Sequence, residues 1–373
     1  MHIGLLTDTF ARETRFGLSR YSHEIHGSLS AAGVRTTPMS AVSAYGDEEP
    51  DWLRATGFRR LPIDRKLLAG TWSLVPWPPI ERWAPDVDLV HALDTDYPLA
   101  TNKPWVITFH DLGVLTHPAW FGKARPWLLK RCVAAAVDRA ATIICVSQAT
   151  ADEFLGITGG RGAERVRVIH EGVGEEFFVP ATAADIAALP ATVTDTPFFL
   201  FTGSISPRKN LLRVLEAFAE VADRIPHRLV MTGAPGWDAS PEMAAVSQGP
   251  LRDRIVNLGY VSDAALKALY GRASAFVYPS LYEGFGLPVL EAMAAGCPVI
   301  TSNQAPLTEV AGDAALLVDP TNVRDIAQAM LSAATDEAQM KALRAAGVDQ
   351  ARRFSWAECG RRTREVYAEI LGA

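Results

Sequence analysis

The sequence predicts an α/β protein with two parallel β-sheets, each covered by helices. Short apolar runs alternate with amphipathic stretches along nearly the whole chain, a pattern typical of consecutive βα units. The length of 373 residues corresponds to two domains of roughly 150 residues each. Residues 181–197 consist mostly of Ala, Thr, Asp and Pro, with few large apolar side chains, and this composition predicts a linker between the two domains.

The N-terminal domain is predicted to span residues 1–180. Its apolar runs are short enough to be strands buried on both faces of a parallel sheet. Amphipathic stretches predict helices at 18–32 and 125–140. The predicted strands are 3–7, 87–93, 105–109, 142–146 and 166–169.

The C-terminal domain is predicted to span residues 198–352, with no strand after residue 318. Residues 353–373 form a separate final helix; the sequence leaves its packing open, with the N-terminal domain as one candidate. The predicted strands are 198–202, 228–232, 254–258, 275–278, 299–301 and 315–318, and the helices between them are 209–225, 263–272 and 288–295.

The composition excludes several classes of protein. A net charge of -6 argues against a generally basic nucleic-acid binder, and 49% hydrophobic residues argue against a disordered chain. The longest uncharged stretch, between Glu291 and Glu309, contains two prolines, so no transmembrane helix is predicted. The N-terminus lacks the basic region of a signal peptide, and four scattered cysteines show no CxxC spacing. We therefore expect a cytoplasmic protein that starts at Met1 and keeps its thiols reduced.

The most informative segment is 274–300, SAFVYPSLYEGFGLPVLEAMAAGCPVI. A predicted buried strand ends near Tyr278, a loop carrying Gly284 and Gly286 follows, and a helix is expected to begin at Pro288. Glycines at a helix N-terminus let backbone amides approach a ligand, and the helix dipole favours an anion there. The segment therefore predicts a phosphate site.

Two glutamates border this predicted site. Glu283 lies in the loop and Glu291 is expected in the first helical turn. Carboxylates repel phosphate but accept hydrogen bonds from hydroxyl groups, as an acidic residue does for ribose in dinucleotide-binding folds. A phosphate flanked by hydroxyls describes a nucleotide sugar. Taken without their context, the two side chains could equally serve only the helix dipole and solvent.

A second segment, 201–218, repeats the pattern of strand, loop and helix in FTGSISPRKNLLRVLEAF. It places Arg208 and Lys209 at the predicted start of a helix, where cations are electrostatically unfavourable. An anion that compensates both charges would remove this cost, so we expect a bound diphosphate. The alternative is that both cations are solvated.

These segments resemble the retaining GT-B glycosyltransferases of family 4. YEGFGLPVLEAMAAGCPVI resembles the EX7E signature, with Glu283 and Glu291 as its glutamates, and GSISPRKNL resembles the donor-phosphate loop. TGAPGWD, NLGYVSD, ICVSQATADEF and VIHEGV extend the resemblance over nearly the whole chain. It implies two Rossmann-like domains that face each other across a deep cleft, and transfer of a hexose from a nucleotide sugar to a hydroxyl with retention.

The resemblance also implies roles for four candidate catalytic residues. Arg208 and Lys209 would neutralise the donor diphosphate, and Glu283 would hold hydroxyls of the transferred sugar. His110 would face that sugar and act by hydrogen bonding rather than as a nucleophile; it follows a predicted parallel strand, the end at which ligands bind in such sheets. A core histidine at a strand end is the alternative for His110.

Other positions are implied to bind the donor. Glu291 would bind the ribose diol, and the base would lie against residues 259–261. Gly17 would approach both the phosphate and the acceptor. The remaining implied positions are Gly203, Ser204, Gly233, Tyr260, Val261, Gly284, Phe285, Gly286 and Leu287.

The donor and acceptor are less well defined. HDLGVLTHPAWF and FGLSRY most resemble the mannosyltransferase branch of bacterial polysaccharide assembly, so GDP-mannose is the first choice. UDP-glucose and other UDP or ADP sugars stay open, as does the choice between a saccharide and a lipid-linked acceptor. Through the resemblance we expect a front-face reaction with no cofactor or essential metal. Two alternatives are a catalytically silent nucleotide-sugar-binding scaffold and a pyridoxal-phosphate phosphorylase, for which the chain is short.

Three other patterns carry less weight. The triplets at 86–88 and 94–96 match the DXD metal signature of a different glycosyltransferase class, but two matches so close together show how common the pattern is. The first strand lacks the GxGxxG spacing of a dinucleotide site. Tryptophans beside basic residues could rest on an anionic membrane, with a packed subdomain as the alternative. These are Trp72, Trp77 and Trp83 near Arg59, Arg60, Arg65 and Lys66, and Trp120 and Trp127 near Lys123, Arg125, Lys130 and Arg131.

Overall fold

The chain divides into two compact units. Unit 1 comprises Met1–Gly172 and Trp356–Ala373, and unit 2 comprises Val173–Ser355. The computed structural model describes residues 1–10, 17–41, 51–121, 126–203, 206–233 and 251–373. Each unit contains one fully parallel sheet with helices packed on it, which is the α/β class that the sequence predicts.

The sheet of unit 1 has seven parallel strands in the order β3-β2-β1-β4-β5-β6-β7. The order reverses between β1 and β4, and in open α/β sheets ligands bind beyond the carboxyl ends of the strands at such a point. Both strands are buried along their whole length, as expected where helices cover both faces. The strands are β1 His2–Leu6, β2 Arg35–Ala41, β3 Arg59–Leu61, β4 Leu89–Ala92, β5 Trp105–Phe109, β6 Thr142–Cys145 and β7 Val166–Val168.

The sheet of unit 2 has six parallel strands in the order β10-β9-β8-β11-β12-β13, and here the order reverses between β8 and β11. Its core is rich in aromatic side chains, among them Phe199, Phe201 and Phe218. Burial of each such side chain contributes about 1.5 to 3 kcal/mol. The strands are β8 Phe198–Thr202, β9 Arg228–Thr232, β10 Ile255–Asn257, β11 Ala275–Tyr278, β12 Val299–Ser302 and β13 Leu316–Val318.

The helices cover the faces of both sheets. Those of the described residues are α1 Leu18–Ala31, α2 Asp51–Arg54, α3 Arg65–Leu74, α4 Gly113–Thr116, α5 Pro126–Arg139, α6 Gln148–Thr158, α7 Ala183–Ala187, α8 Ala191–Thr194, α9 Leu211–Val221, α10 Asp263–Arg272, α11 Leu287–Ala294, α12 Leu307–Ala311, α13 Val323–Thr335, α14 Glu337–Ala351 and α15 Trp356–Leu371. As predicted, the chain after β13 is helical to its end. No helix of the described residues is long and apolar enough to cross a membrane.

The final helix, α15, packs on α1 within unit 1. The two helices approach closely at Gly360, where an added Cβ would lie 2.6 Å from the Cβ of Ser28. Tyr367 of α15 reaches the sheet, and its hydroxyl lies 2.6 Å from Nδ1 of His91. The packing that the sequence left open is therefore with the sheet and first helix of unit 1.

Strands β2 and β3 were not predicted. β2 has the sequence RTTPMSA, in which Met39 is the one large apolar side chain, yet its last five residues are buried. Its polar groups are satisfied by other elements: Thr37 Oγ1 lies 2.8 Å from Nε2 of His2, and Ser40 donates a 2.7 Å hydrogen bond to Asp8. Partners that are distant in the sequence thus make this strand burial possible.

The predicted linker, residues 181–197, lies within unit 2. It contains α7 and α8, and Thr182 and Asp185 form a reciprocal capping box at the start of α7. Val193 is fully buried, and the guanidinium of Arg228 donates a 2.6 Å hydrogen bond to the carbonyl of Thr192. An apolar anchor and short helices therefore dock this segment onto unit 2. The division between the units falls at residue 172 rather than at 180.

Candidate active site

Three side chains form an ionic cluster at the carboxyl ends of β8 and β11. Arg208 Nη1 lies 2.7 Å from Glu283 Oε2, and Lys209 Nζ lies 2.6 Å from Glu283 Oε1. Each carboxylate oxygen thus accepts a hydrogen bond from a different cation. The cluster lies where the strand order of unit 2 reverses, so it occupies the edge at which α/β sheets bind ligands.

Local backbone geometry positions the two cations. Pro207–Lys209 form a 3₁₀ turn, and Asn210 follows in the left-handed conformation with φ of 63° before α9 begins. The side-chain amide of Asn210 donates to the carbonyl of Pro279 at 2.9 Å, and Leu281 N–H donates to the carbonyl of Arg208 at 2.7 Å. The turn is therefore tied to the loop that carries Glu283, and the cluster is preorganised.

The charges of the cluster determine the protonation of Glu283. Burial raises the pKa of this carboxyl, but Lys209 and Arg208 outweigh burial and lower it to about 2. The side chain of Glu283 is only 8% exposed and that of Lys209 9%, so solvent screens these pairs weakly. Glu283 is therefore a carboxylate, and an acceptor only, at neutral pH.

This arrangement corrects one step of the sequence argument. Arg208 and Lys209 were expected at the start of a helix without compensation, which would require a bound anion. They lie instead in the turn before α9, and Glu283 supplies the compensating negative charge. The missing information was the contact between two segments about 75 residues apart. Any anion that binds these cations would therefore share them with Glu283.

The loop after β11 leads into α11 through Gly286. This residue is the N-cap and has φ of 118°, and an added Cβ would lie 2.7 Å from Leu307 Cδ2, so only glycine fits. The helix starts at Leu287, which makes Pro288 its second residue rather than its first. Glu291 is therefore in the second turn and not in the first turn as predicted, and it is 7% exposed.

The other predicted donor positions of unit 2 lie near the same strand ends. Gly203 follows β8 with φ of 139°, and an added Cβ would lie 3.7 Å from Lys209 Cε, so the glycine borders the lysine stem. Gly233 N–H donates to the carbonyl of Gly259 at 2.9 Å, which joins the loops after β9 and β10. Tyr260 is 47% exposed. Ser204 lies outside the described residues.

The remaining loop positions differ in burial. Val261 and Gly284 are half-buried, whereas Leu287 is 8% exposed. Phe285 is 4% exposed, and its ring centroid lies 6.0 Å from that of Phe354 in an edge-on arrangement. Phe285 thus anchors the loop, and its side chain is a packing group.

In unit 1, His110 follows β5 and is held by two protein acceptors. Its Nδ1 lies 2.8 Å from Glu171 Oε1, and its Nε2 lies 2.9 Å from the carbonyl oxygen of Leu93. The ring of Tyr21 packs edge-on against it with centroids 4.5 Å apart. Burial lowers the pKa of His110, but the hydrogen bond and charge of Glu171 outweigh burial, and the pKa is raised.

Gly17 also belongs to unit 1, where it is the exposed N-cap of α1 with φ of 45°. A side chain is disfavoured at this backbone conformation, and an added Cβ would meet no atom of the described residues within 4 Å. The structure brings Arg208, Lys209 and Glu283 together in unit 2, and it holds His110 and Gly17 within unit 1.

Three residues of these sites were missed from the sequence. Glu171 follows β7 in the VIHEGV stretch, where an acidic residue just after a strand was the available signal. Tyr278 ends β11; its hydroxyl accepts a hydrogen bond from Lys209, whose Nζ lies 4.6 Å from the ring centroid. Asn210 has no local signal beyond its place beside two cations, because its function depends on the loop after β11.

Both DXD triplets have protein partners. Asp94 accepts a 2.6 Å hydrogen bond from Thr7, and Asp96 pairs with Arg65 at 2.5 Å. Asp86 pairs with Arg59 at 2.7 Å. Among the described residues, no group of three or more His, Cys, Asp or Glu side chains is arranged to hold a metal ion.

Comparison with known proteins agrees with this geometry. The Glycosyltransferase Family 4 domain matches residues 17–177, and the Glycosyl transferases group 1 domain matches residues 186–350. O-antigen chain mannosyltransferase B of Escherichia coli is 33% identical over 265 residues, which cover 70% of this chain and 69% of that protein. The serotype-specific mannosyltransferase WbdA of Escherichia coli is 34% identical over 283 residues, which cover 73% of this chain but only 34% of WbdA. The chain thus spans about a third of WbdA.

Solved structures share the fold over the whole chain. Sucrose-phosphate synthase of Thermosynechococcus elongatus superimposes with a TM-score of 0.81 at 22% identity, covering 100% of this chain and 99% of that one. Anabaena HepE, solved in complex with UDP-glucose, gives 0.78 at 19% identity, covering 99% and 100%. With two parallel-sheet units, both domain matches and a mannosyltransferase relative at 33% identity, the chain belongs to the GT-B glycosyltransferases of family 4, group 1, and is a glycosyltransferase.

Proposed function

We propose that the enzyme transfers a hexose from a nucleotide sugar to a hydroxyl of a saccharide or lipid-linked acceptor, with retention and without an essential metal. GDP-mannose is the proposed donor because the similar proteins include O-antigen chain mannosyltransferase B and WbdA. The observation that carries the proposal is the cluster of Arg208, Lys209 and Glu283 at the strand-order reversal of unit 2.

The charge of the cluster suits a diphosphate. Two cations share one carboxylate, so these three side chains carry a net charge of about +1. A donor diphosphate supplies the further negative charge, and negative charge grows on it as the sugar departs. Cations held in advance near that oxygen stabilise the transition state without reorganisation, which is commonly the largest catalytic contribution.

The state of Glu283 supports a front-face reaction. A pKa of about 2 and a cation on each oxygen make this carboxylate a weak base and a weak nucleophile. It can still accept hydrogen bonds from hydroxyls of the transferred sugar through its remaining lone pairs. We therefore assign Glu283 to sugar binding, Glu291 to the ribose diol, and the deprotonation of the acceptor to the leaving phosphate. His110 would face the transferred sugar through its ring and not through a ring N–H, because Glu171 and the carbonyl of Leu93 occupy both ring nitrogens.

The first test is donor binding. Isothermal calorimetry and thermal shift without added metal should show that GDP and GDP-mannose bind and raise the melting temperature more than the uridine and adenine series. Glu291→Ala should weaken GDP binding by about 1 to 3 kcal/mol. Glu309→Ala, which changes a half-buried glutamate on α12 of the same unit, is the matched control.

Selective binding of UDP-glucose would show that UDP-glucose and not GDP-mannose is the donor, and the proposed roles of the residues would stay the same. The likeness to HepE, solved with UDP-glucose, makes this the second candidate. Binding of donors without hydrolysis or transfer, unchanged by Glu283→Ala, would instead support the silent scaffold. No binding across the panel would overturn the nucleotide-sugar site.

The stereochemistry and metal dependence need a turnover assay. Proton NMR of the first-formed product should show the same anomeric configuration as the donor. Turnover should persist in EDTA within about twofold. An inverted product would refute retention, and complete loss in EDTA with recovery in Mn²⁺ would refute the metal-free mechanism.

For the acceptor we propose a cavity of about 400 Å³ in unit 1. Its lining includes the polar side chains of Arg65, Lys66 and Asp96 and the apolar side chains of Leu128 and Leu129. A saccharide presents hydroxyls to the first and its C–H face to the second. Leu128→Trp should raise the acceptor KM at least tenfold and leave GDP binding unchanged; an unchanged KM would remove the cavity from the acceptor site.

We also propose that unit 1 contacts an anionic membrane. Leu74, Val75 and Trp77 lie at and just after the end of α3 and are 80%, 56% and 62% exposed, and Lys66 lies at the start of the same helix. Trp72 is buried, and Lys123 and Arg125 lie outside the described residues. Flotation with phosphatidylglycerol vesicles at low salt should be lost in Leu74→Ser/Trp77→Ser and kept in Leu212→Ser; absence of wild-type binding would refute this contact.

A further inference from the structure

The histidine of unit 1 faces hydrogen-bond acceptors at both ring nitrogens. The carbonyl of Leu93 can only accept, so Nε2 of His110 carries a proton at 2.9 Å from it. The carboxylate of Glu171 accepts from Nδ1 at 2.8 Å. An imidazole that donates from both nitrogens is an imidazolium. The geometry of the two partners therefore favours the charged form of His110.

A second histidine one strand away shows the contrast. His91, on β4, has hydroxyl partners: Tyr367 at 2.6 Å from Nδ1 and Thr108 at 2.8 Å from Nε2. A hydroxyl can donate or accept, so it satisfies the neutral ring. Burial, together with the charge of His110, lowers the pKa of His91 to about 3. Two histidines in neighbouring positions are thus held in opposite charge states by their partners.

We propose that Glu171 is a positioning residue that holds His110 as a fixed imidazolium at the carboxyl end of β5. The pair then has no net charge but keeps its positive end fixed on His110, which does not exchange a proton during turnover. Glu171 is 5% exposed, so this ion pair is screened weakly by solvent. The catalytic consequence rests on the proposed function, whereas the charge state of His110 does not.

The other groups around the pair are compatible with this state. Tyr21 of α1 packs edge-on against His110, and burial raises its pKa well above the usual value, so it stays neutral. Burial also raises the pKa of the Cys359 thiol on α15, which faces Glu171. Burial raises the pKa of Asp94, after β4, to about 8, so this nearby carboxyl is largely protonated at neutral pH. Glu171 is therefore the dominant charge acting on His110.

The sign of the pH dependence follows from the raised pKa of His110. The pair contributes stability that is fully present below about pH 6.5, the unfolded value. That stability is lost as the pH rises through the higher folded value. The same titration removes the proposed charge from the site, so activity that depends on it falls on the alkaline side.

The test is nitrogen NMR of the full chain labelled with ¹⁵N-histidine, with the His110 signals assigned from His110→Gln. In the wild type at pH 7.5, both ring nitrogens should have the shifts of protonated imidazolium. In Glu171→Gln the His110 midpoint should fall by at least about one pH unit, the size expected for loss of an adjacent opposite charge. Glu175→Gln, the same change at an exposed nearby position, should leave the midpoint unchanged.

A neutral His110 in the wild type at pH 7.5 would overturn the proposal. This result needs no variant, so the test remains decisive even if Glu171→Gln does not fold. An unchanged midpoint in a folded Glu171→Gln would also overturn it. In the transfer assay, the alkaline limb of kcat/KM should move to lower pH in Glu171→Gln. If no transfer is found, the proposed function fails while the NMR result still decides the charge state.

Discussion

The two candidate sites both follow the carboxyl ends of parallel strands in their own units, and they differ in their balance of charge. In unit 2, Glu283 is shared by two cations, Arg208 and Lys209. In unit 1, Glu171 pairs with one imidazole, His110. The first group follows the two strands at which the strand order reverses, and the second follows β5 and the edge strand β7. The first arrangement has a surplus positive charge, and the second is balanced.

The difference teaches how charge balance relates to ligand type. A surplus of preorganised positive charge lowers the free energy of an incoming anion, because no protein group must be neutralised first. A balanced buried pair has little net attraction for an anion, but it fixes the orientation and protonation of its members. By this reasoning unit 2 binds the charged part of the substrate, and unit 1 presents a group of fixed geometry.

The largest expected effect is at Glu283. Glu283→Ala leaves the buried Lys209 and the half-buried Arg208 without their anion, and we expect kcat to fall by about 10³-fold, with a stability loss of about 3 to 5 kcal/mol. Glu283→Gln keeps the shape and should lose turnover with a smaller loss of stability. Steady-state kinetics and urea unfolding measure the two effects. Turnover of the alanine variant within tenfold of wild type would contradict the assignment.

The next effect separates the units by nucleotide binding. Arg208→Gln and Lys209→Met should each weaken GDP binding by about 10- to 100-fold, since a hydrogen bond to a charged group contributes about 1.5 to 3 kcal/mol. His110→Gln in unit 1 should change GDP affinity less than twofold. Calorimetry measures all three, with Arg224→Gln as an exposed control. Equal losses of GDP affinity from the substitutions in both units would contradict the assignment of nucleotide binding to unit 2.

The pH dependence of stability should have opposite signs at the two sites. Glu283 has a folded pKa of about 2 against 4.5 unfolded, so its contribution is present above pH 4.5 and is lost as the pH falls toward 2. The size is on the order of 3 kcal/mol. His110, with a raised pKa, loses its contribution on the alkaline side instead.

Urea midpoints measured across pH should show the acid-side loss in the wild type and a smaller one in Glu283→Gln. Glu220→Gln, an exposed change on α9, is the control for the general effect of acid. An acid-side loss of equal size in wild type and Glu283→Gln would remove this carboxylate as its source.

The smallest expected effect compares two glycine N-caps. Gly17→Ala in unit 1 meets the cost of its backbone conformation, about 1 to 3 kcal/mol, and the added Cβ contacts no atom of the described residues. Gly286→Ala in unit 2 adds a 2.7 Å contact with Leu307 and should cost about 2 to 4 kcal/mol. Thermal unfolding measures the pair. Equal costs would show that the loop at Gly286 adjusts freely.

Much of the fold follows from local patterns. The apolar runs at 105–109 and 275–278 predict β5 and β11 with their observed bounds, because buried strands of a parallel sheet are apolar on both faces. Strand β2 was not predicted because its burial depends on His2 and Asp8, which form hydrogen bonds with its polar side chains. The segment 181–197 has few apolar side chains, and among them Leu189 and Val193 are buried.

The sequence by itself determined the fold class, the family and the loop residues that follow the strands, since each depends on short motifs whose periodicity, glycines and prolines act locally. Only the tertiary structure decided which of those residues meet. Arg208 lies 75 positions from Glu283, and His110 lies 61 from Glu171. Their pairing depends on which strand lies beside which. Crossovers that bury the faces of the sheet decide that order, and with it the charge of each site.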